Sequence, residues 1–118
     1  MEGAYEMTSA VPEISPTDLY RLIDKGATLQ LIDVREPDEW AESRIDGAVL
    51  IPQGEFFDGG AFAKLKKDIP IVLYCRSGRR SAACLSVMAE KGITDAVHLQ
   101  GGILAWNTMQ PGTNDQSL

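Results

Sequence analysis

The stretch Ile71-Val72-Leu73-Tyr74-Cys75-Arg76-Ser77-Gly78-Arg79-Arg80-Ser81 constrains the fold more than any other part of the chain. An apolar and aromatic run ends in a cysteine and meets a short loop crowded with arginine. The run does not alternate with polar residues. It therefore predicts a strand covered on both faces, like a central strand of a parallel sheet. The segment from Ala82 to Ala89 is apolar over most of its girth, with Ser86 and Glu90 as its polar stripe. It predicts a largely buried helix that ends at Lys91, with Gly92 just past the end.

A strand–loop–helix crossing of this kind sets the Cys75 thiol beside a helix N-terminus. The unpaired N–H groups of the loop and first turn, with the helix dipole, make an anion-binding nest. Arg76, Arg79 and Arg80 add positive charge. Burial of the thiol would act the other way. The charges and dipoles are expected to win, giving Cys75 an apparent pKa of about 6–7.5, below the free-thiol value of ~8.5. A thiolate is the attacking form in sulfur and acyl chemistry.

Composition narrows the classes. At 118 residues the chain is expected to be one domain able to build a core without disulfides or metals. The formal net charge is −6, which disfavours a nucleic-acid partner and makes the arginine loop a local exception. The chain shows no bilayer-length apolar run and no signal-peptide pattern, so no membrane partner is expected and the cytoplasm is the expected compartment. Cys75 and Cys84 are too far apart for a Cys-x-x-Cys pair, and the single histidine gives no metal set. No cofactor and no metal is expected.

Along the chain, residues 1–12 are expected to form a flexible N-terminal arm, 13–111 the domain, and 112–118 a flexible tail. Ser15-Pro16-Thr17-Asp18 starts a helix, with Ser15 as N-cap and Pro16 at its first position, and Gly26 stops it. Thr28–Val34 predicts a strand whose end carries Asp33 and Arg35, read as an ion pair bracing the loop. Glu36-Pro37-Asp38-Glu39-Trp40 restarts a short helix anchored by Trp40. Ile45–Pro52 predicts a turn and a strand, Gly54–Gly60 a loop, Phe62–Lys67 a short helix, and Asp95–Leu99 the last strand. Gly101-Gly102 turns the chain into a final helix carrying Ile103, Leu104 and Trp106. Cys84 reads as a small core residue; a resolving role toward Cys75 is awkward about one turn further along the helix. His98 reads as a strand residue with a satisfied ring, and nothing in its spacing aims it at Cys75. The alternation of strands and helices predicts an α/β three-layer domain.

These motifs together resemble a single-domain rhodanese, a sulfurtransferase. The likeness runs from about Ile14 to Pro111. It rests on Leu31-Ile32-Asp33-Val34-Arg35-Glu36, on Ile45-Asp46-Gly47-Ala48 before Ile51-Pro52, on the Cys75–Ser81 loop, and on Leu99-Gln100-Gly101-Gly102-Ile103-Leu104-Ala105-Trp106. It implies a rhodanese-like fold, a five-stranded and mostly parallel sheet with helices on both faces. It implies that Cys75 forms a persulfide, that Arg76, Ser77, Gly78 and Arg79 belong to the loop cradling the sulfur, that Arg80 closes that loop, and that Asp33 and Arg35 are a structural salt bridge. The implied cycle takes sulfur from a small anionic donor such as thiosulfate to a thiol, cyanide or protein acceptor. Ser43-Arg44 stands where many members have Gly-His. The final motif is also similar to the rhodanese module fused behind adenylating enzymes that load sulfur carrier proteins.

Rival readings remain at this level. A phosphatase or arsenate reductase on a similar fold would place its arginine one position further from the cysteine than Arg80, in a wider ring suited to a tetrahedral oxyanion. A non-catalytic module would be expected to have lost Cys75. A persulfide carrier would use the same residues as a free enzyme.

Overall fold

The computed structural model describes residues 11–109. Residues 1–10 and the whole of the expected tail lie outside the described residues. Five strands form one sheet: β1 (Glu13–Ile14), β2 (Gln30–Asp33), β3 (Val49–Leu50), β4 (Ile71–Tyr74) and β5 (Val97–Leu99), in the order β1-β5-β4-β2-β3. Every pairing is parallel. The helices are α1 (Pro16–Asp24), α2 (Pro37–Glu42), α3 (Gln53–Asp58), α4 (Arg79–Glu90) and α5 (Gly102–Met109), with a 3₁₀ turn at Gly60–Ala63.

The central strands explain their unbroken apolar runs. Successive side chains leave a strand on opposite faces. Ile71, Leu73 and Cys75 enter one core with Phe56, Ala61, Cys84, Leu85 and Met88, under α3 and α4. Val72 and Tyr74 enter the other with Leu19, Ile103 and Trp106, under α1 and α5. The sheet therefore has helices on both faces, as expected. Ser15 caps α1 by accepting the Asp18 N–H at 3.1 Å, and Gly26 leaves it at φ +78°.

Local expectations fail in three places. Residues 53–58 are helical where a loop was expected. Phe62–Lys67 is not a helix; only the 3₁₀ turn ending at Ala63 forms there. Gly59 at φ +93° ends α3 and opens that turn, so the break falls earlier than the apolar spacing suggested. Helix α4 begins at Arg79, ahead of the apolar segment that opens at Ala82, with Gly78 at φ +117° as its N-cap. Residue-level patterns also missed β1, which is only two residues long; the Pro12 carbonyl already accepts the His98 N–H at 3.0 Å.

At the end of β2, Asp33 and Arg35 form the expected pair, and both are buried. Asp33 Oδ1 accepts the Arg35 backbone N–H at 2.9 Å, and Oδ2 accepts Nη2 at 2.8 Å. The same Nη2 donates to the Ser43 carbonyl at 2.6 Å, which ties α2 to the sheet. Arg44 stacks its guanidinium 4.4 Å from the centre of the Trp40 ring, so the Ser43-Arg44 departure is spent on α2 and its exit. Removing one member of a buried pair strands the other charge. Asp33→Ala is expected to lose about 3–5 kcal/mol of stability, read by urea unfolding; a loss under about 1 kcal/mol would show that water reaches Arg35.

Candidate active site

The C-terminal ends of parallel strands are where α/β sheets bind ligands. Cys75 follows the last residue of β4 at that edge and is 1% exposed. Its sulfur accepts the Gly78 N–H at 3.1 Å and the Ser81 N–H at 3.4 Å, and lies 3.5 Å from the Ser81 hydroxyl. The nest expected from the sequence is therefore formed, and the early start of α4 builds it. With Gly78 as N-cap, the N–H groups of the first turn have no carbonyl in their own helix and take the sulfur instead.

The loop's carbonyls are held elsewhere. The Ile103 N–H donates to the Cys75 carbonyl at 2.9 Å, and the Leu104 N–H to the Arg76 carbonyl at 3.2 Å. The first turn of α5 thus caps the loop from behind. Gly102 makes this approach possible: its φ is +63°, and a Cβ there would lie 2.6 Å from the Cys75 carbonyl oxygen and would overlap the Arg76 carbonyl. The Gly-Gly pair does more than turn the chain.

Burial by itself pushes the Cys75 thiol up. The Ser81 hydroxyl and the backbone N–H groups of Ser81, Gly78 and Arg80 outweigh it and bring the pKa below that of an ordinary thiol. The direction agrees with the expectation, but the cause is largely hydrogen bonding rather than arginine charge. Arg76 and Arg79 are exposed, and neither has an ion-pair partner among the described residues. Ser77 is exposed as well. Arg80 is turned aside: its Nη1 and Nη2 donate to the two carboxylate oxygens of Glu39 at 2.8 and 2.9 Å. That fork holds the Glu39 carboxyl down to about 2. Glu39 also accepts the Glu36 N–H at 3.0 Å, so one carboxylate caps α2 and anchors α4. Arg80 ties the start of α4 to α2, through a partner the sequence did not reveal.

Cys84 is fully buried in the core under α4 and unbonded to Cys75; both thiols are free. Burial, with the Cys75 charge nearby, pushes its pKa up to about 12. A separate cavity of about 530 Å³ opens where β4 begins, lined by Phe62, Lys66 and Ile93 among others, and neither cysteine lines it. Among the described residues, no three His, Cys, Asp or Glu side chains gather as a metal site, and no helix is long and apolar enough to cross a membrane.

The site is thus a buried cysteine sulfur met by backbone N–H groups at the C-terminal edge of a five-stranded parallel sheet, with an arginine-led helix behind it. The chain belongs to the rhodanese-like domain family, whose model matches residues 15–109. It is 50% identical over 99 residues to the probable adenylyltransferase/sulfurtransferase MoeZ of Mycobacterium tuberculosis; the match covers 83% of this chain and 25% of that protein's length. It is 30% identical over 105 residues to the thiosulfate sulfurtransferase GlpE of Pseudomonas aeruginosa, covering 89% of this chain and 92% of that one. A crystal structure of a rhodanese-related protein from Thermoplasma volcanium superposes with a TM-score of 0.73 at 29% identity, over 84% of this chain and 93% of that one.

Two outcomes follow from this geometry. Because the thiolate is the reactive form and the Cys75 pKa is depressed, iodoacetamide should alkylate Cys75 with a midpoint below ~8.5, while Cys84 stays unmodified in the folded protein. Peptide mass spectrometry against pH reads both, and a Cys75 midpoint at or above the free-thiol value would mean that burial dominates. Gly102→Ala should open the carbonyl clamp, raise that midpoint and cost about 3 kcal/mol or more in thermal or urea unfolding, since both a forbidden φ and a backbone overlap must be relieved.

Proposed function

We propose that the chain is a sulfurtransferase that moves sulfane sulfur through a persulfide on Cys75. The Cys75 thiolate attacks the outer sulfur of a donor such as thiosulfate. A sulfur–sulfur bond forms, the bond to the sulfonate sulfur breaks, and sulfite leaves with its electron pair. The terminal sulfur of the persulfide then passes to a nucleophile, whether cyanide, a thiol or a thiol-bearing protein, and the Cys75 thiolate is expelled.

The observation that carries this reading is the sulfur itself, buried at the end of β4 yet accepting N–H groups from Gly78 and Ser81. Such fixed donors can contribute about 3 kcal/mol each where charge develops. The helix start supports it. Arg79 and Arg80 open α4 with no acidic residue in its first turn, against the helix dipole. An anion at the nest relieves that conflict. Exposed Arg76 and Arg79 are placed to meet an arriving anion, and Arg80 to hold the loop. The shorter spacing from Cys75 to Arg80 suits one sulfur atom better than a tetrahedral phosphate. A carrier that takes persulfide sulfur from one protein and hands it to another uses the same residues and differs only in its acceptor. The reading places the chain in the cytoplasm, where a free reactive thiol stays reduced.

Cys75→Ser is expected to reduce thiosulfate:cyanide sulfur transfer to background while leaving the fold intact. Cys84→Ala should keep most of the activity and lose about 1–2 kcal/mol of stability. Intact-mass measurement after thiosulfate treatment should show a gain of one sulfur atom, reversed by cyanide or a reducing thiol and missing from Cys75→Ser. Half the native activity surviving in Cys75→Ser would exclude the persulfide, and loss with Cys84→Ala instead would indicate a two-thiol mechanism.

A further inference from the structure

The chain's single histidine is not an ordinary strand residue. His98 lies on β5 and is 4% exposed. Its ring is engaged at both nitrogens: Nδ1 lies 2.6 Å from Ser81 Oγ, and Nε2 lies 3.4 Å from Glu13 Oε1. Ser81 Oγ is in turn 3.5 Å from Cys75 Sγ. The parallel register of β1 against β5 pairs Glu13 with His98 and so sets the carboxylate beside the ring. Thiol, hydroxyl, imidazole and carboxylate therefore form one continuous row. It runs from the buried sulfur to a cleft of about 440 Å³ lined by Glu13, His98, Ser77, Gly78 and Ala82.

The hydroxyl decides what this row can do. Ser81 has one proton to give and two lone pairs to receive with. When Cys75 is a thiol, its S–H can donate to Ser81 Oγ, Ser81 can donate to Nδ1, and Nε2–H faces Glu13. When Cys75 is a thiolate, Ser81 can donate to the sulfur and accept from Nδ1–H, while Nε2–H still faces Glu13. The two states differ by two short proton shifts. The S–H bond breaks as an O–H bond forms, and the old O–H breaks as an N–H forms. Glu13 favours the same Nε2–H in both states, which leaves Nδ1 free to gain or lose the proton.

We propose that His98, acting through Ser81, is the positioning residue that receives the Cys75 proton when the thiolate forms, holds it at Nδ1 beside the Glu13 cleft, and returns it when the thiolate is expelled. This rests on the Cys75 chemistry proposed above. Burial lowers the His98 pKa and Glu13 opposes that shift; with Glu13 on the Nε2 side, Nδ1 is the nitrogen left to accept from Ser81. The charged groups around the row are few. Glu13 faces the ring from β1. From α4, Arg80 is held on Glu39, and the Cys84 thiol, whose pKa is pushed up, lies toward Cys75. The remaining cleft residues are uncharged.

With only one histidine, ring NMR needs no assignment. His98 should hold its proton to higher pH in the native protein than in Cys75→Ser, by about one unit or more, because a thiolate partner at this range favours the imidazolium. Identical titrations in the two proteins would overturn the proposal. Independently, Cys75 alkylation against pH should spread over two coupled steps in the native protein. In His98→Asn, whose amide can still bond Ser81 but cannot take a proton, it should collapse to one step at higher pH. An unchanged profile in a variant that melts like the native protein would also overturn it; if the variant does not fold, the NMR comparison decides. Neither measurement uses sulfur transfer. Coupling without transfer would refute the sulfurtransferase reading alone, and transfer without coupling would refute the relay alone.

Discussion

Two hydrogen bonds from the start of α5 determine what the rest of the site can be. Ile103 and Leu104 donate their N–H groups to the carbonyls of Cys75 and Arg76. A tight loop cannot aim both its carbonyls and its N–H groups at one centre. With the carbonyls drawn into the neighbouring helix terminus, the N–H groups of Gly78 and Ser81 are left to converge on the sulfur. One helix N-terminus is thus satisfied by the loop's carbonyls and the next by the cysteine. The requirement reaches back to sequence as a glycine at 102, where any side chain would meet that loop.

The supports around this loop are ionic, and each fixes a backbone rather than touching the sulfur. The buried Asp33–Arg35 pair joins the end of β2 to the exit of α2. Glu39 on α2 holds Arg80 at the start of α4. The strand ends and helix starts at this edge are therefore cross-linked in series, from β2 through α2 to α4. Every buried side-chain nitrogen or oxygen among the described residues has a partner, so the low dielectric strengthens these bonds without leaving a group unpaired.

Long-periodic and strongly punctuated features were legible in the sequence. The β4 run, the Ser15-Pro16 helix start and the strand-to-helix placement of Cys75 follow from local chemistry, and all three are present. Two-residue strands leave too little pattern to read, which is why β1 was missed and β3 was seen only through its turn and Pro52. The Gln53–Asp58 helix was hidden by Gly54 inside it and by Gly59-Gly60 after it. Glu39, Ser81, His98 and Glu13 were missed as a group for one reason. The Ser81–His98, His98–Glu13 and Glu39–Arg80 meetings depend on strand register and on helix placement across the sheet, and no local spacing encodes either. The arginines were overweighted because a sequence shows charges but not their partners; Arg80 had already found Glu39.

The division between neutral donors and free cations has a consequence for the chemistry. The N–H groups around Cys75 are fixed in a buried place, where ionic screening is weak. Arg76 and Arg79 are exposed, and their attraction for a distant anion fades within a Debye length of about 8 Å at physiological salt. In the proposed transfer, making a reactive sulfur and recruiting an anionic donor would therefore be separate tasks of one short loop, carried by backbone and by side chain. In that transfer, a site that relied on arginine for both would also hold the departing anion. Dipoles placed on a single atom discriminate between the two, because the Gly78 and Ser81 N–H groups both meet the Cys75 sulfur.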